Sequence, residues 1–281
     1  MHTLQNATTR CVAKACDALG ISYAVRDDIG NWLTVYLGDR ELQFLRSKTP
    51  FNSSSMDALF RDKSFSYTLL HEELAMPRTK QYMDPAVEER WQPLVTHATA
   101  HDIATDILEG FQLPVIVKRN SGSHGNHVFL IDSHDAAVIA LETIFEKANS
   151  QYDPIALAQE AVVIAREYRV LWFRGKVVLM YEKLTPEGKA HSMSPFGNPG
   201  AEAVIVSEDD AAYVSVAEFL SQSPTAKGFE YCGFDVATDA AGKHWLLEVN
   251  AWPGTEHLTK HAGDDVLVDM WKRILLELQH A

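Results

Sequence analysis

Asp235, Glu248 and Asn250 carry the oxygen chemistry that is easiest to read in this chain. Two strand-like runs, Tyr231 to Ala237 and Lys243 to Val249, flank the polar turn Thr238-Asp239-Ala240-Ala241-Gly242, which reads as a β-hairpin. Side chains alternate along a strand, so Glu248 and Asn250 point the same way, and Asp235 on the partner strand can point with them. Two carboxylates and an amide oxygen are hard donors of the kind Mg²⁺ accepts, and Mg²⁺ completes its shell with water and nucleotide phosphates. Carboxylates buried without a cation are costly, so a metal is their natural partner.

A second set of residues suits phosphate. Leu113-Pro114-Val115-Ile116-Val117-Lys118 reads as a buried strand ending in a lysine, and it runs into Arg119-Asn120-Ser121-Gly122-Ser123-His124-Gly125. Glycines in such a flap let backbone N–H groups approach phosphate oxygens, because no Cβ intervenes. Lys118 stands at its base as a point charge. Farther on, Glu167 to Phe173 and Lys176 to Tyr181 form a hairpin around Arg174-Gly175. Arg169 alternates onto the face of Glu167, and a guanidinium binds a phosphate or a carboxylate in a bidentate way.

The elements that must position these groups follow from periodicity. Residues 5 to 19 predict a helix with the stripe Cys11, Val12, Ala15 and Leu19, ended by Gly20. Short strands are expected at Ser22 to Val25, Trp32 to Tyr36 and Glu41 to Leu45, then a polar break from Thr49 to Ser55. A helix through Tyr67, Leu70 and Leu74 ends before Pro77. Further helices are predicted over Thr99 to Glu109, His134 to Ala148, Glu208 to Gln222 and Asp265 to Leu278. The strand at Ile155 passes into a connector around Val163. The Pro- and Gly-rich stretch 185–203 is long enough for a functional loop.

Composition bounds the possibilities. The chain has 281 residues, 46% hydrophobic and 22% charged, as in an ordinary globular protein. Its formal net charge of −13 argues against a nucleic-acid partner, since that affinity rests on Lys and Arg. No apolar run is long enough for a membrane span, and Met1 to Asn6 has no signal-peptide pattern. The three cysteines, Cys11, Cys16 and Cys232, have no metal spacing, and reduced thiols in the cytoplasm are expected.

The order Asp235, then Leu247-Glu248-x-Asn250-x-x-Pro253-Gly254, resembles the metal-binding end of the ATP-grasp carboxylate–amine ligases. That superfamily includes D-alanine–D-alanine ligase and the amino-acid ligases of the ribosomal-protein-modifying type. Asp62-Lys63-Ser64 before a helix, and the lysine–glycine-loop string from Pro114 to Gly125, are similar to its other motifs and stand in the expected order. The resemblance covers residues 57–278 and implies an α/β (α+β) ATP-grasp fold, with two α/β lobes gripping ATP. It implies a shortened N-terminal domain over 1–56 and an ATP-grasp domain over 57–281, with a small lobe near 77–157 and a large lobe near 158–281.

It further implies site roles. Lys63, Lys118, Ser121, Gly122, Ser123 and Gly125 would contact ATP phosphates, and Lys183 would lie near them. The strand end at Glu160 and the hinge near Val163 would hold adenine, and Glu167 the ribose hydroxyls, which a carboxylate can accept in pairs. Asp235, Glu248 and Asn250 would hold one or two Mg²⁺, or Mn²⁺; Arg169, Lys183 and Lys189 would serve the reacting groups, with His191 a further candidate for the oxyanion. The implied activity is ATP-dependent joining of a small-molecule carboxylate to an amine through an acyl phosphate, and since homodimers are common among the proteins it resembles, a homodimer is a further expectation. Phosphotransfer to a small molecule and non-catalytic ATP sensing remain as other uses of the same site. The chain departs from the D-alanine ligases at Gly233, where they carry an arginine, and lacks the Arg-Ser-Asn element of several relatives.

Overall fold

A computed structural model describes residues 6–122, 126–185 and 200–280. Asn6 caps helix α1 (Ala7–Leu19), its side chain accepting from the N–H groups of Thr8 and Thr9, and Gly20 closes the helix at φ 67°. A three-stranded meander follows: β1 (Tyr23–Val25), β2 (Trp32–Leu37) and β3 (Arg40–Leu45). Two short helices come next, α2 (Ser54–Arg61) and α3 (Lys63–Leu70). Asp62 separates them, because its carboxylate accepts from Phe65 N–H and starts the second helix afresh. That helix stops at Leu70, well before the Pro77 expected to end it.

The small lobe is a four-stranded antiparallel sheet, in the order β4, β7, β5, β6. Its strands are β4 (Thr79–Met83), β5 (Val115–Arg119), β6 (Val128–Ile131) and β7 (Ile155–Glu160). Helices α4 (Ala100–Gly110) and α5 (His134–Ile144) cover one face; Ile103, Ile107, Leu141 and Ile144 pack there on Val115, Val117, Ala156 and Ala158. Strict alternation leaves Lys118 and Gln159 on the opposite face.

The large sheet has five antiparallel strands in the order β10, β9, β8, β11, β12. These are β8 (Arg166–Phe173), β9 (Lys176–Leu184), β10 (Glu202–Ile205), β11 (Tyr231–Thr238) and β12 (His244–Asn250). Tyr168, Val170, Trp172, Phe234 and Val236 face one core, with residues of α6 (Ala211–Ser221), α7 (Pro224–Lys227), α2 and α3. Leu171, Phe173, Tyr181 and Tyr231 face another, which contains α1, β2, β3, Leu258 of α8 (Glu256–Ala262) and α9 (Asp265–Gln279). The opening residues thus share one core with the large sheet, and they cover the face on which Glu167, Arg169, Lys183 and Asp235 also stand. Four elements had little sequence signal. β4 is a polar edge strand, β10 has only four residues, and α7 and α8 are too short for a clear stripe.

Candidate active site

The hairpin β11–β12 sets Asp235 directly opposite Glu248, and Gly233 opposite Asn250. A register shift follows Asp235, so Val236 pairs with Leu246 and Leu247 is the extra residue. The bulge explains how Leu246 and Val249, an odd number apart, reach the same core while Glu248 and Asn250 stay together on the other side. Asn250 Nδ2 lies 3.1 Å from Glu248 Oε1 and 3.4 Å from Asp235 Oδ2, so the three expected metal ligands converge.

On the other side of β11, Asp235 pairs with Arg169 of β8. Arg169 donates through Nε to Asp235 Oδ1 and through Nη2 to Oδ2 at 3.0 Å. Lys183 Nζ lies 2.6 Å from Glu167 Oε1 and 2.8 Å from Asp235 Oδ1. Four charges are thus buried side by side. Burial opposes ionisation of Asp235, but Arg169 and Lys183 outweigh it and hold the carboxyl well below the ordinary range. Burial also opposes the Lys183 charge, which Asp235 and Glu167 nevertheless hold in place, raising its pKa. Glu167 goes the other way: burial raises its carboxyl against the pull of Lys183, and the Asp235 charge adds to the rise.

Gly233 is tightly enclosed. A Cβ there would lie 2.7 Å from Pro253 Cβ and 3.2 Å from Arg169 Cδ. Arg169, arriving from the neighbouring strand, crosses the space that a side chain on residue 233 would need.

The phosphate-suited groups come from the four-stranded sheet and from α3. Lys118 Nζ donates to Gln159 Oε1 at 2.8 Å, and Gln159 Nε2 donates to Thr79 Oγ1. Burial pushes the Lys118 ammonium down to about 8, while Glu248 and Asp235 pull it up and Lys63 pushes it down. Lys63 Nζ donates to Gly122 O at 2.8 Å and lies 3.7 Å from Glu248 Oε2, so it joins the glycine loop to the β11–β12 hairpin. Asn120 holds the helix that carries Lys63: its Oδ1 accepts from Ser64 N–H and its backbone O from Lys63 N–H.

Ser121 is oriented differently from a free phosphate donor. Its N–H and its hydroxyl both donate to Asp153 Oδ2 at 2.6 Å, and Asp153 is buried. Gly122 has φ 110°, and a Cβ there would collide with the Arg119 guanidinium. Glu160 ends β7, with Arg78 N–H 3.3 Å from its Oε2, and Val163 beyond it is 82% exposed. Ser123, His124, Gly125, Lys189 and His191 lie outside the described residues. Gln159, Asn120 and Asp153 were not foreseen as site residues. Asp153 lies 32 positions from Ser121 and no local pattern links them.

Among the described residues no three His, Cys, Asp or Glu side chains are grouped to hold a metal ion. The donor set is instead two acids and an amide, and its chemistry suits a hard dication. Asp235 already carries two cationic partners, so Glu248 is the acid with the most free oxygen valence.

The RimK-like ATP-grasp domain matches residues 89–274. A probable alpha-L-glutamate ligase of Aeromonas salmonicida is 30% identical over 173 residues, covering 60% of this chain and 53% of that protein. A ribosomal protein bS6–L-glutamate ligase of Salmonella paratyphi B is 27% identical over 247 residues, covering 86% and 73%. The chain spans about half the length of the first curated relatives it matches. The D-alanine–D-alanine ligase of Bacillus anthracis superposes with a TM-score of 0.53 at 19% identity, covering 79% of this chain and 69% of that one, a likeness of fold.

Proposed function

The chain belongs to the RimK-like ATP-grasp family, and from that membership we propose that it is an ATP-dependent carboxylate–amine ligase acting on amino acids or small peptides. The observation that supports this reading is that Lys63 bridges Gly122 and Glu248 while Asp235, Glu248 and Asn250 meet on one hairpin within electrostatic reach of Lys118. Such a set supplies cations for phosphate and hard oxygens for a metal.

In the proposed reaction an oxygen of the substrate carboxylate attacks the γ-phosphorus and ADP leaves. The amine then attacks the acyl carbon, phosphate leaves, and the amine loses a proton. Glu248 and Asn250, with Asp235 behind them, would hold Mg²⁺, whose chemistry is to neutralise charge on the transferring phosphoryl group. Lys63 and Lys118 bind phosphate oxygens, and the buried Lys118 is a strong electrostatic partner because little water screens it. Glu167 accepts the ribose hydroxyls once a nucleotide competes with Lys183 for it. Arg169 stays charged throughout, since Asp235 raises its pKa against the opposing effect of burial, and it offers its remaining N–H donors to the reacting carboxylate or its phosphate.

The test is ADP formation from ATP and Mg²⁺ with pooled amino acids and acidic dipeptides. Release that requires both an acid and an amine, and falls at least about 10³-fold in Glu248→Ala, is expected, a loss of about 4 kcal/mol of transition-state stabilisation. A phosphorylated product that accumulates without an amine would replace the ligase by a phosphotransferase. ATP binding with no turnover from any pool would favour a sensor.

A further inference from the structure

The turn that follows β5 is tied down before it reaches the glycine at 122. Arg119 Nη1 donates to Gln151 O at 3.2 Å and Asn120 N–H to Ile155 O at 3.0 Å. Ser121 donates both its N–H and its hydroxyl to Asp153 Oδ2 at 2.6 Å. Segment 151–155 thus receives three successive residues of the turn. Asp153 is itself fixed: its N–H donates to Ile144 O at 3.1 Å, and its Oδ1 accepts from Ile155 N–H at 3.0 Å. It is 4% exposed, and among the described residues its carboxylate meets only neutral donors. Burying a carboxylate without a cation is costly, and an apolar residue of similar volume would avoid that cost. Stability alone therefore gives no reason for an acid here. Geometry does, because two carboxylate oxygens fix Ser121 and Ile155 at once.

That geometry serves the next residue along. Gly122 O accepts from Lys63 Nζ at 2.8 Å, and the same ammonium lies 3.7 Å from Glu248 Oε2. The Gly122 backbone has φ 110°, and the Arg119 guanidinium fills the space where a Cβ would go, so neighbours on both sides set the direction of the carbonyl. Asn120 completes the tie, accepting from Ser64 N–H at 2.9 Å through its side chain and from Lys63 N–H at 3.3 Å through its backbone. We propose that Asp153 is a positioning residue for phosphate binding: it holds Ser121 so that Gly122 O keeps the Lys63 ammonium between the turn and Glu248. Ser121 is then the anchor of the turn and not a phosphate ligand, since its hydroxyl and its N–H are both taken. This inference rests on the reading of Lys63 as a phosphate partner, and its test separates the two.

The test is calorimetric binding of ATP and of adenosine to the full chain and its variants, with Mg²⁺ and without a second substrate. Asp153→Ala weakens ATP binding about ten-fold, the size of one charge-assisted hydrogen bond, and leaves adenosine within about two-fold. A general loss of structure would weaken both ligands together. Lys63→Met lowers ATP affinity in the same selective way. Asp153→Ala/Lys63→Met loses little more than Lys63→Met by itself, because both changes act on one ammonium. Ser121→Ala, at an exposed position, keeps the N–H bond to Asp153 and loses less than Asp153→Ala. The opposite order, a large loss in Ser121→Ala with ATP affinity unchanged or raised in Asp153→Ala, makes Ser121 a direct ligand and overturns the proposal. Unchanged ATP affinity in Asp153→Ala with a loss in Lys63→Met overturns the proposal alone; unchanged affinity in both removes the phosphate role of Lys63 as well. Where Asp153→Ala does not fold, Asp153→Asn, which gives up one of the two oxygens, is read against the same outcomes.

Discussion

Lys118 shows how a site residue works against the fold that holds it. Its folded pKa of about 8 lies below the ordinary 10.5, so between those values the unfolded chain binds more protons and stability rises with pH; below about 8 the buried charge is a full penalty. Lys118→Met is expected to stabilise the ligand-free protein at pH 7 by roughly 1–2 kcal/mol, the charge penalty less the lost bond to Gln159, while ATP affinity collapses. Thermal unfolding and ATP titration check the two halves; a variant less stable than the parent would show that the penalty is not there. Asp235 has the opposite sign. Its folded pKa is lowered by Arg169 and Lys183 against burial, so its contribution is complete above the ordinary carboxylate range and is lost as pH falls through the folded value. Asp235→Asn would leave two buried cations short of a counter-charge and cost about 3–5 kcal/mol. Denaturant unfolding at pH 7 measures this, and the gap between the two proteins should narrow in acid.

At the scale of elements, the hairpin works because of one bulge and one glycine. The bulge at Leu247 lets a strand with its apolar residues out of phase keep its core contacts while Glu248 and Asn250 share the other face. Gly233 leaves room for Pro253 and Arg169 to close on the strand from both sides. In Gly233→Ala the new Cβ meets a proline ring that cannot rotate away, so a loss of roughly 1–3 kcal/mol is expected, together with weaker Mg²⁺-dependent ATP binding as the Pro253 turn and its hairpin shift. Unfolding and ATP titration with and without Mg²⁺ separate the two effects. Wild-type stability would mean that Pro253 moves freely.

Across the whole molecule, the first and last helices are tied together. Asp264, just before α9, accepts from Arg10 Nε at 2.7 Å and Nη2 at 2.9 Å, and from Lys14 Nζ at 2.7 Å. The Arg10 hydrogen bonds hold the Asp264 carboxyl well below its ordinary range, against mild burial. Beneath this clasp, Phe44, Phe51, Phe173, Tyr231 and Trp271 form an aromatic cluster that joins the opening meander to the large sheet and α9. Asp264→Ala is expected to cost about 1–2 kcal/mol, a fall of roughly 2–6 °C in Tm. The difference should vanish toward acid pH, since the parent's Asp264 stabilisation is lost as pH falls through its folded pKa. The single core also predicts that residues 6–51 and the large sheet unfold together, as one hydrogen-exchange unit.

What the sequence determined by itself is local. The hairpin with Asp235, Glu248 and Asn250, the strand that carries Lys118, and the facing of Glu167 with Arg169 all follow from alternation and turn chemistry, which act over a few residues. The ATP-grasp family was legible too, because its motifs keep their order along the chain. Only the tertiary structure decided who meets whom. That Arg169 and Lys183 both occupy Asp235, that Asp153 holds Ser121, and that Lys48 and Arg61 share one indole are contacts between residues 32 to 204 positions apart. Such contacts depend on how sheets stack and which face a bulge leaves free, and a spacing pattern along one strand carries no record of either.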